Sequence, residues 1–171
     1  MFYYLKKILT KALVVYTVLT VLMLFFAWTG SAIAVEIDES IRTVPLNDAG
    51  EQTTLSLEQF ARGQGVFNNS CAQCHIDGGS KTNPDVDLST QTLAKATPAR
   101  NSVDSIIDYM NNPTTYDGLR SLAELHPSVL NVDIFPRMRN LSEEDLRAIA
   151  GYILIEPKIV GDQWGGGKPE R

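Results

Sequence analysis

The 171-residue sequence is poor in the side chains that usually build metal and redox sites. It has two cysteines, Cys71 and Cys74, and two histidines, His75 and His126. Two cysteines exclude a zinc site made of four thiolates, and a site of two Cys and two His would consume every such ligand at an unusual spacing. A thioredoxin-like dithiol sits in a βαβ context, and no such alternation is legible. Internal repeats are missing as well. Acidic residues are missing from Met1 to Lys11, although the whole chain carries 20 acids against 15 lysines and arginines. The formal net charge of −5 makes nucleic acid a poor partner.

The scarce residues are concentrated in one stretch, Cys71-Ala72-Gln73-Cys74-His75. A Cys-x-x-Cys-His run is the attachment site of a c-type haem. Thiols three positions apart on one helical turn can each form a thioether to a haem vinyl group. The histidine that follows is then held under the iron.

The N-terminus has a separate character. Lys6, Lys7 and Lys11 precede an apolar run, Ala12 to Ala27, and small residues lead to Ala32-Ile33-Ala34. This is the order of a secretory signal peptide. A retained anchor is the rival, but the run is near the lower limit of about 17–25 residues for a bilayer span. The expected organisation is a cleaved leader, 1–34, and a haem domain, 35–171. Removing three leader lysines leaves 12 basic residues against 20 acids, a net charge of −8. An exported chain also meets the machinery that attaches haem outside the cytoplasm.

Beyond the leader, 35–42 reads as polar and loosely held. Thr43–Leu46 and Gln52–Leu55 flank the turn residues Asn47-Asp48-Ala49-Gly50 and predict a small β-hairpin. Ser56 and Gln59 form a capping box that opens a helix leading into Cys71. Gly63 and Gly65 weaken that helix, unless a porphyrin or another helix needs to come close. Residues 76–95 read as loop. Asn101-Ser102-Val103-Asp104 opens a second helix that ends before Pro113, and Leu119–Leu125 suggests a short helix delivering His126. Ser142, followed by Glu143, Glu144 and Asp145, opens the clearest helix, with an apolar face of Leu146, Ile149, Ala150, Ile153 and Leu154 and a stop at Pro157. Trp164 to Arg171 reads as a tail. The expected fold is mainly α, a class I cytochrome c-like domain with a small N-terminal β-hairpin, in which the helix before the haem motif crosses the last one.

The residue facing His75 across the iron has three candidates. Met110 falls on an apolar helix face and reads as core. Met138, in a loop before the last helix, and His126, held by Pro127, both remain open on the residues alone.

Several stretches resemble the extrinsic cytochrome c of photosystem II, the cytochrome c-550 or PsbV family. They are Thr43-Val44-Pro45-Leu46-Asn47, Lys81-Thr82-Asn83-Pro84, Tyr109 to Gly118, Asp133 to Leu141 and Trp164-Gly165-Gly166-Gly167-Lys168, besides the haem motif. The resemblance covers nearly all of 35–168. It implies one covalent haem c on Cys71 and Cys74, with His75 and His126 as axial ligands. His126 stands in the family's Glu-x-His-Pro context, here Glu124-Leu125-His126-Pro127, and its presence argues against the family's divergent paralogue, which uses another ligand. The implied setting is the thylakoid lumen, peripheral to the membrane. The implied partners are the photosystem II core and other extrinsic lumenal subunits, where the protein helps stabilise the oxygen-evolving manganese–calcium cluster and supports calcium and chloride retention. The implied protein is not an enzyme, because two histidines close the iron. A soluble lumenal electron-transfer cytochrome c is the alternative. The ending Pro169-Glu170-Arg171 departs from the aromatic ending common in the family.

Overall fold

The structure, a computed structural model, describes residues 2–27 and 36–165. The chain divides into two units, Met1–Val35 and Glu36–Arg171. The first contains one helix, α1 (Phe2–Ala27). The expected cleavage site at Ala32-Ile33-Ala34 lies outside the described residues, and so does the tail from 166 to 171.

In the second unit the stretch read as loose contains a helical turn, α2 (Glu39–Arg42). Asp38 caps it by accepting from the Ser40 amide at 2.8 Å. The Arg42 guanidinium fastens it by donating to the carbonyls of Ile37 and Leu55. The hairpin follows as expected. β1 (Thr43–Pro45) pairs antiparallel with β2 (Gln52–Thr54), in a register that sets Val44 opposite Thr53. Val44 is fully buried, so the isolated hairpin is stabilised by packing on the helices.

Two helices form the frame of this unit. α3 (Leu57–Ser70) opens on the Ser56–Gln59 capping box. α7 (Glu143–Val160) opens on a second box, in which Ser142 and Asp145 satisfy each other's amides. They cross at Gly63. A Cβ there would stand 2.1 Å from the Ala148 carbonyl oxygen and 2.9 Å from Tyr152 Cβ, so the crossing is closer than any side chain permits. Gly65 has nothing within 4 Å of its own would-be Cβ. Another helix therefore explains the first glycine, and only lowered propensity remains for the second. Phe60, Phe67 and Tyr152 fill the interface, with ring centres 5.2–5.5 Å apart. α6 (Val103–Asn111), capped by Ser102, packs on the other side of α7. The result is a mainly α fold of the class I cytochrome c type.

Four expectations need correction. Pro157 lies inside α7, which runs on to Val160. Proline forfeits one bond, to the Ile153 carbonyl, but the turn beyond it closes through Gly161 N–H onto the Pro157 carbonyl, and Gly161, at φ 60°, ends the helix. A short helix α5 (Thr90–Lys95) forms inside the stretch read as loop. It is set by Ser89 capping the Thr92 amide, and its polar composition gives no periodic signal. The helix expected over Leu119–Leu125 does not form. Side chains intercept its amides, Asp117 taking Leu119 N–H and Ser121 taking Ala123 N–H, while Leu119 and Leu125 point to solvent at 81% and 80% exposure. Trp164 is not tail but core: it is buried, stacked within 5.6 Å of Phe67 and Tyr152, with Nε1 donating to the Leu88 carbonyl at 3.0 Å.

Candidate haem site

α3 ends by delivering Cys71, whose amide closes on the Phe67 carbonyl at 2.8 Å. The chain then makes one more turn, α4 (Ala72–His75), with the amides of Cys74 and His75 both donating to the Cys71 carbonyl. Residues three apart on a helix share a face, so the two thiols lie together. Cys71 is partly buried and Cys74 exposed; no disulfide joins them. Burial, and secondarily the neighbouring Cys74, push the Cys71 thiol up to about 12. Asp77 takes the left-handed region at φ 51° and sends the chain back beneath the motif. Gly78 makes this return possible, since a Cβ there would meet the Trp164 ring at 2.6 Å.

That return fixes His75. Its Nδ1 lies 3.0 Å from the Gly79 carbonyl and 3.1 Å from Ser80 Oγ. A carbonyl only accepts, so Nδ1 carries the proton and Nε2 is left with a lone pair. His126 is set in the same way, with Nδ1 2.9 Å from the Pro127 carbonyl. Its backbone is anchored by a 2.7 Å bond to the Leu122 carbonyl, and Leu122 in turn bonds to the Pro113 carbonyl. A second ring nitrogen donating to a carbonyl is the usual support for a metal-bound histidine. Burial, followed by the nearby His75, lowers His126 to about 4, and burial also lowers His75. Both rings are therefore neutral at pH 7, the form in which imidazole binds metal.

The two rings face one another across a cavity of about 400 Å³, with centres 6.0 Å apart. A metal–nitrogen bond to imidazole is about 2.0 Å long, and ring centres 6.0 Å apart would leave room for one such bond from each. The spacing fits one iron between them. The walls suit a porphyrin, with Phe67 from α3, Ile149 and Ile153 from α7, Ile106 and Met110 from α6, and Leu93 from α5. Met110 is thus core and cavity wall at once. Met138 is buried but does not line the cavity.

Of two further wall residues, Arg100 belongs to no motif, and Tyr109 stands out only as the start of the Tyr109–Gly118 resemblance. Arg100 and Tyr109 both line the cavity, and Tyr109 meets His126 edge-on at 5.0 Å. The lining of Gly79 and Ser80 against His75 was equally invisible, since a carbonyl bond leaves no mark in the spacing.

A helix pair crossing beside a Cys-x-x-Cys-His turn, with a largely apolar cavity lined by Cys71 and His75, defines a class I c-type cytochrome. A family model described as the cytochrome c-550 domain matches residues 35–171, and the chain belongs to that family. A relative from Cyanothece sp., called photosystem II extrinsic protein V, is 57% identical over 151 residues, covering 88% of this chain and 93% of that one. The crystal structure of cytochrome c549 superposes with a TM-score of 0.74 at 53% identity, covering 75% of this chain and 99% of that one. The PsbV2 cytochrome of Thermosynechococcus elongatus gives 0.61 at 31% identity, over 72% of this chain and 87% of that one. The cofactor is one covalently bound haem c.

Proposed function

We propose that this chain is a low-potential, bis-histidine c-type cytochrome that serves as an extrinsic lumenal subunit of photosystem II. The observation that carries the reading is the pair of neutral imidazoles, each fixed through Nδ1, facing one another 6.0 Å apart across the cavity. In it, Cys71 and Cys74 form the thioethers, and His75 and His126 hold the iron. Two imidazoles leave no open position for dioxygen, peroxide or another substrate, which is the physical ground for a non-enzymatic role. When bound, the haem supplies one-electron chemistry. Imidazole in place of thioether favours the ferric state, so the potential falls well below that of a His/Met cytochrome. The protein reaches the lumen by its leader, cleaved after Ala34, and associates with the photosystem II core and its other extrinsic subunits. There it shields the oxygen-evolving manganese–calcium cluster from bulk water and reductants, and so helps retain calcium and chloride. The names of the relatives support this setting.

A redox titration of the holoprotein tests the site. A strongly negative potential is expected, with His126→Met raising it; a parent potential as positive as that of a His/Met carrier overturns the ligand assignment. Rapid carbon monoxide binding by the reduced protein at native pH would reveal an open position. Retention on photosystem II membranes through a moderate salt wash tests the partner. Recovery only in the soluble lumenal fraction favours a diffusing carrier.

A further inference from the structure

Arg100 stands just before the Asn101–Asp104 capping signal and belongs to no motif itself. It is nonetheless only 7% exposed and lines the same cavity as His75 and His126. Its Nη2 donates to the carbonyls of Thr114 and Thr115 at 3.1 and 2.9 Å and approaches Thr114 Oγ1 at 3.4 Å. Its guanidinium carbon stands 3.9 Å from the centre of the Tyr109 ring. Tyr109 in turn meets His126 edge-on at 5.0 Å. The ion pairs among the described residues use Arg62, Arg139 and Arg147, and none uses Arg100.

Carbonyl dipoles and an aromatic face satisfy donors but leave the charge uncancelled. Guanidinium does not deprotonate in proteins, and a buried ion without a counter-charge costs on the order of several kcal/mol. No carboxylate of the described chain supplies that charge. The cofactor does, because haem carries two propionates.

We propose that Arg100 is the counter-charge of a haem propionate, held in place by the Thr114 and Thr115 carbonyls and the Tyr109 face so that its remaining N–H donors meet the carboxylate within the cavity. The proposal rests on haem c occupying this cavity and not on the photosystem setting. Arginine suits the task because its planar fork matches a carboxylate with two parallel bonds. A fixed cation beside the haem also favours the ferrous state, so Arg100 raises the potential that two imidazoles would otherwise set. The Tyr109 ring contacts both groups, its centre 3.9 Å from the guanidinium carbon and 5.0 Å from the centre of the His126 ring. Arg100 is then a positioning and tuning residue, separate from the iron's ligands.

The test uses holoprotein carrying haem labelled with carbon-13 at the propionate carboxyls. Arg100→Gln, Arg100→Lys and the surface control Arg62→Gln, which removes the same charge outside the cavity, are compared with the parent. Unchanged bis-histidine absorbance spectra first establish that haem and ligands are intact. Arg100→Gln is expected to shift the ferrous-to-ferric ratio about tenfold toward ferric, ~59 mV for a one-electron couple. Arg100→Lys, which keeps the charge and loses the fork, is expected to fall between. The labelled carboxylate bands in the redox-difference infrared spectrum should move in both Arg100 variants and stay fixed in Arg62→Gln. Labelled bands that do not move, or a potential shift no larger than that of Arg62→Gln, overturn the proposal and leave Arg100 a tether for the Thr114–Thr115 backbone. If Arg100→Gln does not fold, the bands of Arg100→Lys decide alone.

Discussion

Residues 56–70 and 142–160 build their half of the molecule from two long helices, each opened by its own capping box and pressed together at Gly63 until backbone meets backbone. Residues 76–135 build the other half from turns, two short helices and a network of single bonds. Among these are Leu122 to Pro113, Asn131 to Ala123, and the Tyr116 hydroxyl reaching the Thr92 carbonyl. The first half is held by local propensity and side-chain interdigitation. The second adds Leu93, Val103, Ile106 and Met110 to the core, and most of these also line the cavity that the cofactor would fill. The contrast makes a prediction: haem should matter more to the order of 76–135 than to that of α3 and α7, although Phe67, Ile149 and Ile153 also line its cavity.

The largest test removes the haem. Filling lost core volume is worth about 24 cal/mol per Å³, so a cavity of about 400 Å³ corresponds to about 10 kcal/mol, as much as a whole domain's stability. Cys71→Ser with Cys74→Ser should therefore lose haem on denaturing gels. Hydrogen exchange should find 76–135 unprotected while α3 and α7 keep residual helix. Equal protection in both halves would erase the distinction. Trp164→Ala attacks the seam between the halves. It removes a ring packed on Phe67, Tyr152 and Gly78 and orphans the Leu88 carbonyl, so chemical denaturation should show a loss of about 3–5 kcal/mol.

Within the helical half, Gly63→Ala should cost about 1–3 kcal/mol by overpacking. Gly65→Ala, with open space around it, should gain up to about 1 kcal/mol. Similar effects from the two substitutions would mean that the crossing yields. The smallest effect is a pH dependence. The hydrogen bond from Arg62, followed by those from the Ser142 hydroxyl and amide, holds Asp145 at about 2, below its ordinary 3.8. A depressed carboxyl stabilises the fold above its unfolded pKa. Its contribution is lost as pH falls from about 3.8 toward about 2. Calorimetric melting should show this decline in the parent and less of it in Asp145→Asn.

The same contrast governs what could be read in the chain. Capping residues act within four positions, so Ser56, Ser102 and Ser142 announced their helices. The hairpin and the Cys71–His75 turn are local as well. Residues 114–126 depend on partners far along the chain. There the apolar spacing of Leu119, Leu122 and Leu125 suggested a helix, while Asp117 and Ser121 took its amides. Trp164 is buried only because Gly78 and Leu88 come to it across some 80 positions of sequence. Its isolation beside glycines looked like a tail. His126 was legible as one of two candidates by chemistry, and its context within the resemblance chose between them. Arg100 left no trace, because its role depends on a cavity that no spacing reveals.

Gly63 lies eight positions before Cys71 on α3, about 12 Å along the helix axis. The absent methyl group at the crossing therefore acts at the far end of a lever. Any separation of the helices there tilts α3 against α7, whose Ile149 and Ile153 form the facing wall of the slot. The clearance between the sulfur-bearing turn and that wall is thus machined at a point that touches neither. A manufacturing tolerance for the haem slot is written into a residue with no side chain.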